Sequence, residues 1–246
     1  MRIAWERHGE GPPVLLIHGL GYARWGWEPV VEPLARSFDV ILFDNRGIGE
    51  SDAPPGPYTA SELAADALQV LDEAGVERTN LVGTSLGGMV AQELALVAPE
   101  RVDKVVLACT TPGGEGAFPL PERTVELMTR GATLREFVEN ALAPDPDPEI
   151  VERILVHREA TAQPLEAWSA QAAAGAAFDA FDRIDRIAAP TLVLHGTEDG
   201  VVDPRNSTLL AQRIPDARVQ LFSGAGHLFF WEQPDLFVDV VTEFLQ

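Results

Sequence analysis

The chain is short of several things, and each shortage excludes a class of protein. Among 246 residues there is one cysteine, Cys109. No intramolecular disulfide can form, and no cysteine-based metal site. Cys109 lies in the apolar run "VVLAC", where a buried structural thiol is expected. Basic residues are scarce: 18 against 38 acidic ones, for a formal net charge of −20. A surface of that sign repels phosphate backbones and anionic lipid, so neither nucleic acid nor a membrane is an expected partner. No apolar run approaches the ~20 residues that a spanning helix needs. The opening "MRIAWERHGEG" lacks the apolar core of a secretory signal. The expected compartment is the cytoplasm.

What is present is a series of short apolar runs: "PVLLIHG" (13–19), "DVILFDN" (39–45), "TNLVGTS" (79–85), "DKVVLACT" (103–110), "TLVLHGT" (191–197) and "ARVQLFSG" (217–224). Several are apolar at successive positions, which suits strands covered on both faces of a parallel sheet. Amphipathic stretches lie between several of them. In "YTASELAADALQVLDEAG", Thr59 and Glu62 fit a capping box, apolar positions recur at helical spacing, and Gly75 can end the helix. Strand–helix alternation of this kind predicts a doubly wound, mostly parallel α/β sheet.

The alternation breaks after residue 110. The stretch from "TPGGEGAFPLP" through "APDPDPE" contains helix-like segments and no convincing strand. It is too long for an ordinary crossover. We read residues 1–110 and 187–246 as the core and 111–186 as a helical cap inserted between two strands. A substrate lid is its expected role.

In "LVGTSLGG" a strand meets a helix through Gly83 and Gly87, with Ser85 midway between them. Small residues at those positions permit a turn sharp enough to lift a hydroxyl clear of the sheet. Serine needs a base, usually a histidine held by a carboxylate. Of the five histidines, His227 sits on a loop after the last apolar run and can reach over that edge. His18 and His195 end strands, and a structural role in holding their loops is expected. For the carboxylate, "HGTEDGVVDP" offers Asp199, followed by the flexible Gly200, with Glu198 in reserve. Asp203 precedes Pro204 and is expected to cap the next helix. The order Ser85, Asp199, His227 is that of α/β-hydrolases. Backbone N–H groups of Leu20, in "HGLGYARW", and of Leu86 can form an oxyanion hole.

Five segments, "HGLG" (18–21), "DNRGIGESD" (44–52), "GTSLGG" (83–88), "HGTEDGVV" (195–202) and "GAGHLFFWEQP" (224–234), resemble the α/β-hydrolase superfamily over almost the whole chain. The arm "DNRGIGES" is similar to that of small esterases, enol-lactone hydrolases and cofactor-free haloperoxidases. Serine at position 85, where dehalogenases and epoxide hydrolases carry aspartate, implies acyl transfer to water through an acyl-enzyme. An apolar pocket would favour a small carboxylic ester as substrate, and neither cofactor nor metal is implied. An enol-lactone hydrolase, a thioesterase and a carbon–carbon bond hydrolase are the alternatives within that chemistry. A small-molecule receptor on the same fold is the alternative outside it. Candidate pocket residues are Trp25, Trp27, Phe118, Leu120, Phe137 and Trp168. An acidic lactone would need a basic partner such as Arg130, Arg135 or Arg158, for which solvated helix faces are the expected place.

Overall fold

The computed structural model describes every residue from Met1 to Gln246. The six apolar runs form β2 (Pro13–Ile17), β3 (Asp39–Phe43), β4 (Thr79–Thr84), β5 (Val102–Ala108), β6 (Thr191–Gly196) and β7 (Ala217–Phe222), all parallel. A further strand, β1 (Trp5–His8), joins the edge antiparallel to β3, giving the order β1-β3-β2-β4-β5-β6-β7. The sequence reading missed β1. It is four residues long and half-exposed, so it carries no apolar run, and an edge strand needs none.

Why the inner strands read as unbroken apolar runs is plain from their two faces. Leu15, Ile17, Ile41, Phe43, Leu81 and Val105 enter one buried cluster, while Val14, Leu16, Val40, Leu42, Val82 and Val106 enter another. Successive side chains point to opposite sides of a strand, and both sides are covered. One face is covered by α2 (Ala60–Glu73), α3 (Leu86–Val97) and α8 (Arg205–Arg213), the other by α1 (Glu28–Leu34), α9 (Phe229–Glu232) and α10 (Pro234–Leu245). Helix α2 starts where the sequence says it should: the Thr59 hydroxyl accepts the Glu62 N–H, and Glu62 reaches back to the Thr59 N–H. No helix is long and apolar enough to cross a membrane.

Between β5 and β6 lie only helices: α4 (Glu122–Arg130), α5 (Leu134–Asn140), α6 (Pro148–Ala160) and α7 (Leu165–Ala176). An isolated bridge between Gly113 and Asp179 ties the two ends of this insertion together. The return segment after Asp179 forms a 3-10 turn, Ile184–Arg186, that packs on α3 and α8. The insertion rests on loops that follow the strands: Ala170 O accepts the Tyr58 N–H, Ala141 O accepts the Leu228 N–H, and Thr124 and Asn140 donate to Gly200 O. These are the C-terminal ends of the parallel strands, where ligands of open α/β sheets bind.

Candidate active site

Ser85 stands where β4 turns into α3, with φ 55° and ψ −121°. That is a strained conformation for a residue with a Cβ and costs about 1–3 kcal/mol. Two glycines make it possible. A Cβ on Gly83 would lie 2.3 Å from Gly87 O, and one on Gly87 would lie 2.0 Å from Ile17 O in the neighbouring strand. The turn is then pinned on its other side: the Ser85 N–H donates to Ala108 O at 2.9 Å, and the Thr110 hydroxyl donates to Ser85 O at 2.8 Å. The serine remains partly exposed. Leu86 is the first residue of α3, so its N–H has no partner within the helix. The Leu20 N–H likewise has none within the chain. Gly19 brings that loop against the serine, since a Cβ there would lie 2.9 Å from Ser85 Cβ.

Asp199 follows β6 and His227 follows β7. The His227 Nδ1–H donates to Asp199 Oδ2 at 2.7 Å, and both side chains are buried. The other carboxylate oxygen, Oδ1, accepts the Val201 N–H at 2.7 Å and the Val202 N–H at 2.9 Å. His195 Nε2 lies 2.8 Å from Asp199 Oδ2, and its hydrogen bond goes to Val202 O at 3.1 Å. His195 thus holds its loop, as expected, and also lies against the Asp199 carboxylate, which the sequence did not reveal. Burial works against charge on Asp199, but the charge and hydrogen bonds of the two histidines outweigh it and keep the carboxyl below the usual range. Burial also disfavours charge on His227, yet the Asp199 carboxylate outweighs it and holds the imidazole well above 6.5.

Glu198, the reserve carboxylate, points into solvent. Asp203 accepts the Arg205 N–H at 2.9 Å at the start of α8, a capping contact. His18 accepts the Gly19 N–H at 2.7 Å through Nδ1, and burial pushes it down to about 3. Its ring stacks on Tyr22 with centroids 4.6 Å apart, so it shapes the Leu20 loop as a neutral ring. Cys109 is fully buried, as expected, and its thiol lies against His227. Burial pushes that thiol up.

The pocket candidates divide. Trp27 is wholly buried in the core against His18 and Phe230, and is corrected to a core residue. Its tight 3-10 turn, Arg24–Trp27, points it inward. Leu120 is 46% exposed and lies at the surface. The Phe118 ring lies under the Arg205 guanidinium, at 4.2 Å, and its backbone is bonded to Asn206 on the flank of α8. Leu120 and Phe118 are likewise removed from the pocket: the segment before α4 folds along the outside of the insertion's base. Phe137 and Trp168 are half-buried on α5 and α7. Trp25 sits at the seam between core and insertion, its indole N–H donating to the Thr161 hydroxyl at 2.9 Å. Arg130 and Arg135 pair with Glu136 and Glu152 on exposed helix faces, as expected. Arg158 does not: it turns inward onto the carbonyl of Gly21.

An elbow serine, a buried aspartate–histidine pair and two N–H groups without a helical or loop partner lie at one sheet edge, on a fold that known proteins share. Residues 12–234 match the alpha/beta hydrolase fold family, and the chain belongs to it. It is 34% identical over 250 residues to RutD of Azorhizobium caulinodans, a protein named for carbamate hydrolysis, with 98% of this chain and 93% of the relative covered. It is 31% identical over 274 residues to the 2-hydroxy-6-oxo-6-phenylhexa-2,4-dienoate hydrolase of Comamonas testosteroni, covering 99% of this chain and 91% of that one. The solved enol-lactonase of Burkholderia xenovorans LB400 superposes with a TM-score of 0.84 at 30% identity, covering 99% of this chain and 96% of the other. The chain is a hydrolase on this fold.

Proposed function

We propose that the chain hydrolyses a small, neutral carboxylic ester through an acyl-enzyme on Ser85. The observation that carries this reading is the buried 2.7 Å contact from His227 to Asp199. It fixes the imidazole tautomer with Nδ1 protonated and leaves Nε2 to act as base. In this reading Ser85 Oγ attacks the ester carbonyl and gives its proton to His227 Nε2. The carbonyl oxygen becomes an oxyanion held by the N–H groups of Leu20 and Leu86. The imidazolium then protonates the departing alkoxide. Water attacks the acyl-enzyme with His227 again as base, and Ser85 recovers its proton as the acid leaves.

Two features support a small, neutral acyl group. Arg130 and Arg135 are paired at the surface, and Arg158 spends its Nη1 donor on the carbonyl of Gly21, so a substrate carboxylate would have to compete with that loop for its one nearby cation. An unpaired carboxylate in a dry pocket is costly to desolvate. The insertion also packs close on α3: a Cβ on Gly175 of α7 would lie 3.6 Å from Leu86 Cδ1 and 3.8 Å from Met89 Sδ. A panel of neutral short-chain esters, long-chain esters, acyl thioesters, a carboxylate-bearing enol-lactone and a vinylogous diketone acid tests this. The highest kcat/KM is expected on the neutral short-to-medium esters. A higher value on the lactone or on the diketone acid would transfer the chain to lactone or carbon–carbon hydrolysis. Stoichiometric binding without turnover across the panel would make it a receptor.

A further inference from the structure

The loop that carries the Leu20 N–H has little backbone support of its own. A single bond, from the Tyr22 N–H to Gly19 O at 3.3 Å, closes the turn. Gly21, the next residue, has φ 73°, the left-handed region in which glycine moves freely. Yet both of its backbone polar groups are held, and both by side chains of the inserted helices. The Gly21 N–H donates to Gln171 Oε1 of α7 at 3.3 Å. The Gly21 carbonyl accepts from Arg158 Nη1 of α6 at 2.7 Å, and the same nitrogen lies 3.5 Å from Leu20 O.

Neither side chain is placed there by accident of the surface. Gln171 is 1% exposed, and its amide nitrogen donates to Arg46 O at 2.7 Å, so it spans from the loop after β2 to the loop after β3. Arg158 forms no ion pair, in a chain with 38 acidic residues. Its guanidinium lies 4.9 Å from the centre of the Tyr22 ring. One turn of chain further on, the Thr161 hydroxyl receives the Trp25 indole N–H, and His157 stacks on Trp25. The C-terminal end of α6 therefore grips residues 21–25 at three points.

We infer that Arg158 and Gln171 are positioning residues that aim the Leu20 N–H at the developing oxyanion, so that hydrolysis proceeds only while the inserted helices are seated. The inference rests on the reading of Leu20 as an oxyanion donor. A donor must meet the oxygen within a few tenths of an ångström, and the peptide next to a left-handed glycine keeps that aim only if something outside the loop holds it. The insertion then does more than cover substrate. It completes the catalytic geometry, and lifting it dissolves half of the oxyanion hole.

The test compares Arg158→Met, Gln171→Met, the double variant and Arg158→Lys with wild type, with Arg135→Met in the same insertion as control. Ser85 is titrated with an activated phosphonate so that rates refer to folded sites, and unfolding temperature is recorded. Removing one oxyanion donor outright costs about 10²–10³ in kcat, so loss of its aim is expected to lower kcat by about 10–100-fold per titrated site with KM little changed. Phosphonylation of Ser85 should slow in parallel, because its phosphoryl oxygen occupies the same hole. Arg158→Lys keeps a donor near Gly21 O and should recover part of the loss. The double variant should cost less than the sum of the singles, since both hold one residue. Lower melting temperature with unchanged kcat per titrated site would make the pair merely structural and overturn the inference. A rise in KM alone would overturn it too, by making Arg158 a substrate contact. Wild type that is labelled and turns over while the variants match it refutes only this inference. Wild type that is neither labelled nor active refutes the hydrolytic reading first, and this one with it.

Discussion

Three hydrogen bonds converge on the Asp199 carboxylate, and its charge sets the pH range in which the proposed base, His227, is neutral. A base must be neutral, and the carboxylate holds the His227 imidazole above 6.5. The sign follows: as pH falls through that raised value the ring charges, and kcat/KM falls with it. The acidic limb is therefore expected above pH 6.5, read from kcat/KM against pH on a neutral ester. Asp199→Asn should move the limb downward and lower the rate by about 10⁴, because the wrong tautomer is then favoured. Glu198→Gln should change neither, since that side chain is in solvent. A limb at or below 6.5 in wild type, or an equal loss at 198, contradicts the assignment. At this scale the sequence was legible where local pattern sufficed. Ser85 is bracketed by glycines, and Asp199 and His227 follow strands. It was illegible where the partner is remote in the chain: the bond of Gln171 to Gly21 spans 150 positions, and nothing near either residue announces it. Apolar type alone does not tell pocket from core or surface: Trp27 lies in the core, and Phe118 and Leu120 lie on the outside.

At the scale of elements, the join of β2, β4 and α3 depends on backbone approaching backbone. A methyl group on Gly87 would meet Ile17 O at 2.0 Å, and neither a strand carbonyl nor a helix start can yield that distance. Gly87→Ala should destabilise the fold by about 3 kcal/mol or more and abolish labelling of Ser85. Gly131→Ala is the comparison. Gly131 ends α4 at φ 70° with nothing within 4 Å of the added carbon, so only the left-handed strain of about 1–2 kcal/mol is expected. Urea unfolding measures both, and a Gly87→Ala protein as stable as Gly131→Ala would contradict the close approach. The same logic explains which elements the sequence announced. Inner strands are buried on both faces and must be apolar throughout. Strand β1 is buried on neither and is recognisable only by its pairing with β3.

Across the whole molecule, the insertion and the sheet edge form one unit. The inserted helices bond to Gly21 through Arg158 and Gln171, to Gly200 through Thr124 and Asn140, and to Leu228 through Ala141. Each contact falls one residue from a proposed participant: Leu20, Asp199 and His227. The lack of strand-like runs between "DKVVLACT" and "TLVLHGT" matches the helices that lie between β5 and β6. The insertion's grip on the loops after β2, β3, β6 and β7 depends on tertiary contacts that no local pattern encodes. If this edge presents Ser85 as the nucleophile, mass spectrometry will show it. Wild type is treated with an activated phosphonate, digested and mapped, and hydrolysis of a neutral short-chain ester is followed beside Ser85→Ala. One adduct is expected, on the peptide containing Ser85, with hydrolysis lost in step with labelling. The Ser85→Ala protein should fold, take no label and retain at most a trace of activity. An adduct on another residue, or an alanine variant that turns over the ester at a substantial fraction of the wild-type rate, would contradict that assignment.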